Sequence, residues 1–412
     1  MKLKRLLKGF LFLIVSTALG VGIVLVLLSQ HNYQLVYYGP RNEISIRTDS
    51  ELSDPYPMLP DNDIRNIILF ISDGMGLSQL AATRIHYLGP DGRLHIERMP
   101  VTGLATPHAI DNIITDSAAS ATSLATGVKT KKKGISVDPD GKKLTTILEA
   151  ARDAGLATGL VTSTDITDAT PAAFASHVLH RNNDEAQIAL QLIESKVNVL
   201  IGQGPFFYHQ DDSRSKRQDD IDPIQIAKEA GYVFVDTKEK LRTASGNYLL
   251  GLFENLEPDP LAQEFHRGQD TPTMAELTQK SIELLKGNQK GFFLMVEEEA
   301  TDSGSHINRE DYVIHHLKEF DNAVQVGLEF ALKDQHTLVL VMADHETGGF
   351  NIVKGAYEDG HLEFIWNSNG HTGQPVSMFA FGPHAIRFTG MKDNTEIPKI
   401  FAELLKLEKF SR

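Results

Sequence analysis

Apolar runs and helical periods alternate along this chain from about residue 64 onward. The stretch "IRNIILFISDGMG" reads as a hydrophobic strand over Asn66–Ser72 that stops abruptly at Asp73-Gly74. "KKLTTILEAARDAG" carries a helical period closed by Gly155, and "LATGLVTST" follows as a strand. The alternation recurs with helix "AQIALQLIES", strand "VNVLIGQG", helix "PIQIAKEAG" and strand "YVFVD". A helix over 274–287, the strand "GFFLMVE", a helix near 310–333, the strand "HTLVLVMAD", the strand "VSMFAFG" and a helix over 396–406 complete the series. This pattern predicts an α/β three-layer sandwich, a central and mostly parallel sheet flanked by helices on both faces. Within it, Ile113, Ile114 and Thr115 read as a strand or an extended approach to a helix begun by the small residues Ala118 to Ala121. Ser117 then sits at a helix N-terminus, whose unpaired N–H groups can hold an anion. The plainer alternative makes Asp116 or Ser117 only an N-cap.

The ends of the chain behave differently. Lys2, Lys4, Arg5 and Lys8 precede an uncharged run from Gly9 to Gln30. That run is long enough to span a bilayer and longer than the apolar part of most cleaved signals. Residues 1–30 are therefore expected to be a transmembrane signal anchor or, alternatively, a signal peptide; residues 31–62, of mixed polarity with four prolines, a linker; and residues 63–412 the catalytic domain. Positive-inside bias puts that domain across the membrane. The expected location is a bacterial inner membrane with the domain on the periplasmic or extracellular side, or the periplasm after cleavage.

Composition narrows the chemistry. Lys and Arg total 40 against 54 acids, a net charge of −14, which argues against nucleic-acid binding. The chain has no Cys, so disulfides and thiolate metal sites are excluded and any metal must use His, carboxylate, hydroxyl or water. Parallel sheets gather functional groups past their strand C-termini. Asp73, Glu297 and Asp344-His345 each end an apolar run, and Ser117 follows one, so four polar sites aim at one edge. Asp302 and His306 stand four apart, on one side of a helical turn, and His371 lies in "NSNGHTGQP". Zinc accepts imidazole and carboxylate, magnesium prefers carboxylate, hydroxyl and water.

Taken with "TDSAASATSLATG", these segments resemble the alkaline phosphatase family in order from about residue 64 to residue 384. The resemblance implies a phosphomonoesterase with two Zn2+ and one Mg2+. Ser117 is similar to the family's phosphorylated nucleophile. Asp73, Asp344 and His345 resemble the ligands of the zinc beside it, and Asp302, His306 and His371 those of the other zinc. Thr170 and Glu297, with Asp73 bridging, resemble the magnesium ligands, and Asp168 would reach that ion through water. Arg181, eleven residues after Thr170, resembles the arginine that grips phosphate, and Asp116 would orient it or its neighbours. Homodimers are common among such proteins.

The chain departs from the family pattern in places. Glu298 and Glu299 stand where small residues are usual, which makes Glu299 a rival to Glu297, and Ser303 replaces Lys, His or Trp. Only 25 residues separate His345 from His371, so large decorations there are reduced. His177, His180, His315 and His316 read as surface or capping residues, "KTKKKG" as a solvated loop, and Trp366 as packing or as part of the substrate mouth. Alternative functions are a phosphodiesterase or sulfatase on the same scaffold, or a non-catalytic membrane-tethered phosphate-binding protein.

Overall fold

The computed structural model describes residues 42–48, 53–262, 268 and 270–410. Its main sheet has ten strands: β1 (Asn66–Ser72), β2 (Val101–Thr106), β3 (Ala157–Asp165), β4 (Val199–Gln203), β5 (Val233–Val235), β6 (Leu249–Leu252), β7 (Phe292–Glu298), β8 (Thr337–Met342), β9 (Val376–Phe381) and β10 (Gly390–Asp393). They lie in the order β10-β2-β9-β8-β1-β7-β3-β4-β6-β5. Every neighbouring pair is parallel except the two that β9 makes with β2 and β8, so one strand runs against the rest. Residues of β1, β7, β8 and β9 are buried along their whole length, which is why these segments read as unbroken apolar runs.

The three central strands are tied at their entering ends by one buried amide. Asn66 Nδ2 donates to Asp334 Oδ2 at 3.1 Å and to Thr337 Oγ1 at 3.0 Å, while its Oδ1 accepts from the Phe292 N–H at 3.1 Å. That fixes the register of β7 and β8 on β1, and with it the positions of the residues that leave their far ends.

The helices match the periodic stretches: Ile147–Asp153, Glu185–Glu194, Pro223–Glu229, Met274–Leu285, Glu310–Asp334 and Glu396–Leu404. The Ser117–Thr126 helix is buried on every side, and its small side chains pack closely against the Ala169–Ala175 helix. Ile113 and Ile114, expected as a strand or an extended approach to the helix, lie in a loop outside any strand, with Ile113 83% exposed. The helix Leu77–Leu88 and strands β2, β6 and β10 were not anticipated.

Part of the stretch expected as a linker is ordered. Asn42–Ser45 pairs antiparallel with His361–Ile365, which pairs in turn with Asn351–Ala356, and Tyr56 packs on Phe381. Its partners are more than three hundred positions away, so nothing local announces the pairing. Among the described residues no helix is long and apolar enough to cross a membrane, and the anchor read from residues 1–30 lies outside them.

Gly291 opens β7 at φ +98°, and a Cβ there would stand 1.9 Å from the Arg65 carbonyl oxygen. Gly291→Ala is therefore expected to cost about 2 kcal/mol or more, read as a lower midpoint in urea or thermal unfolding; an unchanged midpoint would contradict this packing.

Candidate metal centre and nucleophile

Because β1, β3, β7 and β8 run the same way, their C-terminal ends open on one edge, and the chemistry collects there. Asp73 follows β1, Glu297 is the penultimate residue of β7, and Asp344-His345 follow β8. The Ala300–His306 helix, starting just beyond β7, carries Asp302 and His306. His371 sits in a two-residue strand, His371–Thr372, laddered to Glu346–Thr347. Ser117 enters from the side as the first residue of its helix.

The Ser117 hydroxyl is buried and lies 3.3 Å from His345 Nε2. The same nitrogen stands 3.3 Å from Asp73 Oδ1 and 3.3 Å from Asp344 Oδ2. Those two oxygens are buried and accept no hydrogen bond among the described residues. Burial, and then the neighbouring Asp344 charge, pushes the Asp73 carboxyl well above its ordinary range; burial followed by the Asp302 charge pushes Asp344 up to about 8. Burial and the His371 imidazole hold His345 well below the usual value. A neutral imidazole and two crowded carboxylates with unused lone pairs are a donor set short of a cation.

Thr347 sets the imidazole's direction. Its hydroxyl donates to Asp302 Oδ1, so toward His345 Nδ1, 3.2 Å away, it can only accept. The proton is thereby placed on Nδ1, and the Nε2 lone pair is turned to Ser117 and the carboxylates.

A second cluster repeats this logic. His306 Nδ1 lies 2.7 Å from the Asn369 carbonyl and His371 Nδ1 lies 2.9 Å from the Thr115 carbonyl. Carbonyls only accept, so both Nδ1 atoms carry hydrogen. The two Nε2 atoms then face each other at 3.2 Å, with Asp302 Oδ2 3.1 Å from that of His306 and Asp302 Oδ1 3.8 Å from that of His371. The bond to Asp302 raises His306 to about 9. Burial works to raise the Asp302 carboxyl, but the His306 bond and the surrounding imidazoles hold it below the usual carboxylate range. Asp302 joins both clusters: its ligand atoms and those of Asp73 and His345, and likewise those of His306 and His371, fall within 4.8 Å of one another.

Glu297 forms a third group. Its Oε2 accepts from Thr162 Oγ1 at 2.5 Å, while its Oε1 and the Thr170 hydroxyl are buried without a formed hydrogen bond among the described residues. Burial raises Glu297 to about 7 against the help of Thr162, Thr170 and Arg181. Its rival Glu299 turns elsewhere, accepting from the Ser303 hydroxyl at 3.0 and 2.8 Å.

Asp168, Arg181 and Asp116 lie beside these groups. The Asp168 carboxylate is paired directly with the Arg181 guanidinium. Asp116 caps the Ser117–Thr126 helix through Ala119 N–H at 3.0 Å and accepts from Lys133 N–H at 2.8 Å. The Lys133 carbonyl accepts from Arg181 N–H at 2.9 Å, so Asp116 reaches the arginine only through this loop. The basic loop is thus partly structural, and Lys129 also bonds Asn394 Oδ1 at 2.6 Å. Asn394 donates to Ser120 Oγ at 3.1 Å, and Ser120 donates to the Asp344 carbonyl at 2.7 Å, pinning the Ser117–Thr126 helix to the loop that carries Asp344 and His345. Thr347, Asn394 and Ser120 were missed by sequence reasoning; only Thr347, two positions past His345, carried a signal in its spacing. Trp366 packs edge-on against Phe350. Elsewhere, Glu43, His361 and Glu363 group on the small sheet, where Lys354 stands 3.0 Å from Glu363 and balances the charge.

Comparison with known proteins identifies the family. A family model described as Alkaline phosphatase matches residues 64–361 and 358–407. Alkaline phosphatase 4 of Bacillus subtilis (strain 168) is 32% identical over 426 residues, spanning 84% of this chain and 90% of that protein. The alkaline phosphatase of Escherichia coli (strain K12) is 32% identical over 408 residues, spanning 82% and 85%. The structure of alkaline phosphatase from the Antarctic bacterium TAB5 matches with a TM-score of 0.71 at 29% identity, over 85% of this chain and all of that one (100%). Fold and site together define a phosphoric monoester hydrolase that depends on metal ions. The chain belongs to the alkaline phosphatase family.

Removing the hydroxyl that orients His345 is expected to weaken divalent-cation retention. Thr347→Val should release cation to a competing chelator with about 10- to 100-fold lower affinity while the unfolding midpoint moves little; retention equal to the parent's would exclude this role.

Proposed function

We propose that the chain hydrolyses phosphate monoesters of broad type through a phosphoserine at Ser117, with two Zn2+ and one Mg2+ as its ions. The observation that carries this reading is the buried Ser117 hydroxyl sharing His345 Nε2, at 3.3 Å, with Asp73 and Asp344. Asp73, Asp344 and His345 would hold one zinc, and Asp302, His306 and His371 the other, both sets being the nitrogen and oxygen donors zinc accepts. Glu297 and Thr170, with Asp73 shared and Asp168 acting through water, offer the oxygens that magnesium prefers. A solved mutant of the TAB5 enzyme with Mg bound in its M3 site supports that choice. When bound, such ions neutralise phosphate charge and make hydroxyl and water acidic enough to attack at ordinary pH.

The protein's own groups do the rest. Ser117 Oγ forms a bond to phosphorus as the ester oxygen departs from the opposite side. The serine proton passes to solvent and the departing oxygen takes one up. Water then attacks the phosphoserine, the bond from phosphorus to Oγ breaks, the serine oxygen regains a proton, and inorganic phosphate leaves. Arg181 presents two parallel N–H donors to the phosphoryl oxygens, and its pairing with Asp168 keeps that fork aimed. Amides at the start of the Ser117–Thr126 helix favour the anion further. The basic and then apolar residues 1–30 support export of this unit across a membrane.

Ser117→Ala is expected to lower turnover of an aryl phosphate by at least about 10³-fold with metal content near normal; a variant as active as the parent would overturn the nucleophile. Chelation is expected to silence the enzyme, and zinc with magnesium to restore it; full activity after removal of both metals, checked by elemental analysis, would refute the ion assignment.

A further inference from the structure

Resting on that phosphomonoesterase reading, we propose that the rim beside the Asp302–His306–His371 cluster is a subsite for an apolar leaving group, an alkyl or aryl substituent on the departing oxygen. In-line displacement sends that oxygen away from Ser117 Oγ. The cluster lying beyond the serine and its partner His345 is the one built by Asp302, His306 and His371, so the substituent passes the outer sides of these two imidazoles.

Exposed aliphatic residues flank that cluster, Ile113 through its contact with Gly373 and Ile307 in sequence. The Thr115 carbonyl that holds His371 ends a loop bearing Ile113 and Ile114. Ile113 lies against Gly373, its Cγ2 3.9 Å from where a Cβ would be. Ile307 directly follows His306. Ile113 is 83% exposed, Ile110 54%, Ile307 41% and Ile114 40%. Isolated exposed aliphatics need no explanation, but Ile114 and Ile113 stand one and two residues before the Thr115 carbonyl beside His371, and Ile307 adjoins His306 in the chain. An open groove of about 520 Å³ runs along the loop from Thr106 to Ile113 and reaches Gly373. Asp111 in its lining is the carboxylate an anionic substituent would meet. The polar centre thus grips phosphate, while the adjoining loop offers apolar surface to whatever the phosphate is attached to.

A homologous series tests this. Methyl, ethyl, butyl and hexyl phosphonates, which cannot be hydrolysed, would be titrated calorimetrically into the enzyme loaded with zinc and magnesium. The matching alkyl phosphates would be assayed for kcat/KM. A fully buried methylene is worth about four-fold, so a half-open rim is expected to give about two-fold per methylene up to butyl, in affinity and in kcat/KM alike. Ile113→Asn and Ile307→Asn should each flatten the series. A flat series in the parent, or a slope that both variants leave intact, would overturn the subsite. So would size-exclusion runs in which Ile113→Asn splits a dimer, since the loop would then be covered by a second copy. Phosphate release from every ester at one rate sinks the rim alone, whereas release from none sinks the phosphatase reading and the rim with it.

Discussion

Crowding of like charge at one end of the sheet is the constraint on which the rest of the molecule is built. Asp73, Asp302, Asp344 and Glu297 are all buried and feel one another's charge, and three imidazoles stand beside the aspartates. Left to themselves, such groups would separate or take up protons, because a buried, uncompensated carboxylate costs several kcal/mol. They are kept together by elements that have no freedom to yield. β1, β7 and β8 are wholly buried, the Asn66 amide locks their register, and the helix that follows β7 leaves no slack before Asp302. The resulting conflict is the kind that divalent ions relieve, so the scaffold stores the affinity that the ions then use.

Much of this was legible in the sequence because burial on both faces writes itself as uninterrupted apolar runs, and the candidate ligands end those runs. Asp73, Glu297 and Asp344-His345 could be placed at one edge on that ground alone. Partnerships between distant polar groups could not. Nothing near Asn394 says that it will bond Ser120, and nothing near Asp168 says that its carboxylate will meet Arg181 directly. The β-branched run before Asp116 misled for a related reason: strand propensity counts only when a neighbouring strand is there to pair, and Ile113 has solvent instead. Asn42–Ser45 shows the converse, a polar segment made into a strand by a distant partner.

The helix of small residues does more than leave room around Ser117. Having little side-chain bulk, it can be buried on every side and held by hydroxyl and cap bonds instead of a greasy face. Asp116 serves both the helix start and the Lys133 loop, where a left-handed φ of 71° turns the backbone N–H toward Asp116 and the carbonyl toward Arg181. The start of the Ser117 helix and the backbone at Arg181 are therefore tied to a single carboxylate, directly in the first case and through Lys133 in the second.

The lone reversed strand, β9, has a topological consequence. A strand that runs against its neighbours begins where they finish, so the residues entering it already stand at the reactive edge, and His371 needs no crossover to arrive there. The excursion that separates it from His345 is closed by the two-rung ladder of Glu346 with Thr372 and Thr347 with His371. Whatever hangs beyond that clasp, here the small antiparallel sheet, can lengthen, shrink or change its outer face without dislodging either imidazole. The clasp thereby separates His345 and His371 from that appendage, while His306 stays tied to it through the Asn369 carbonyl.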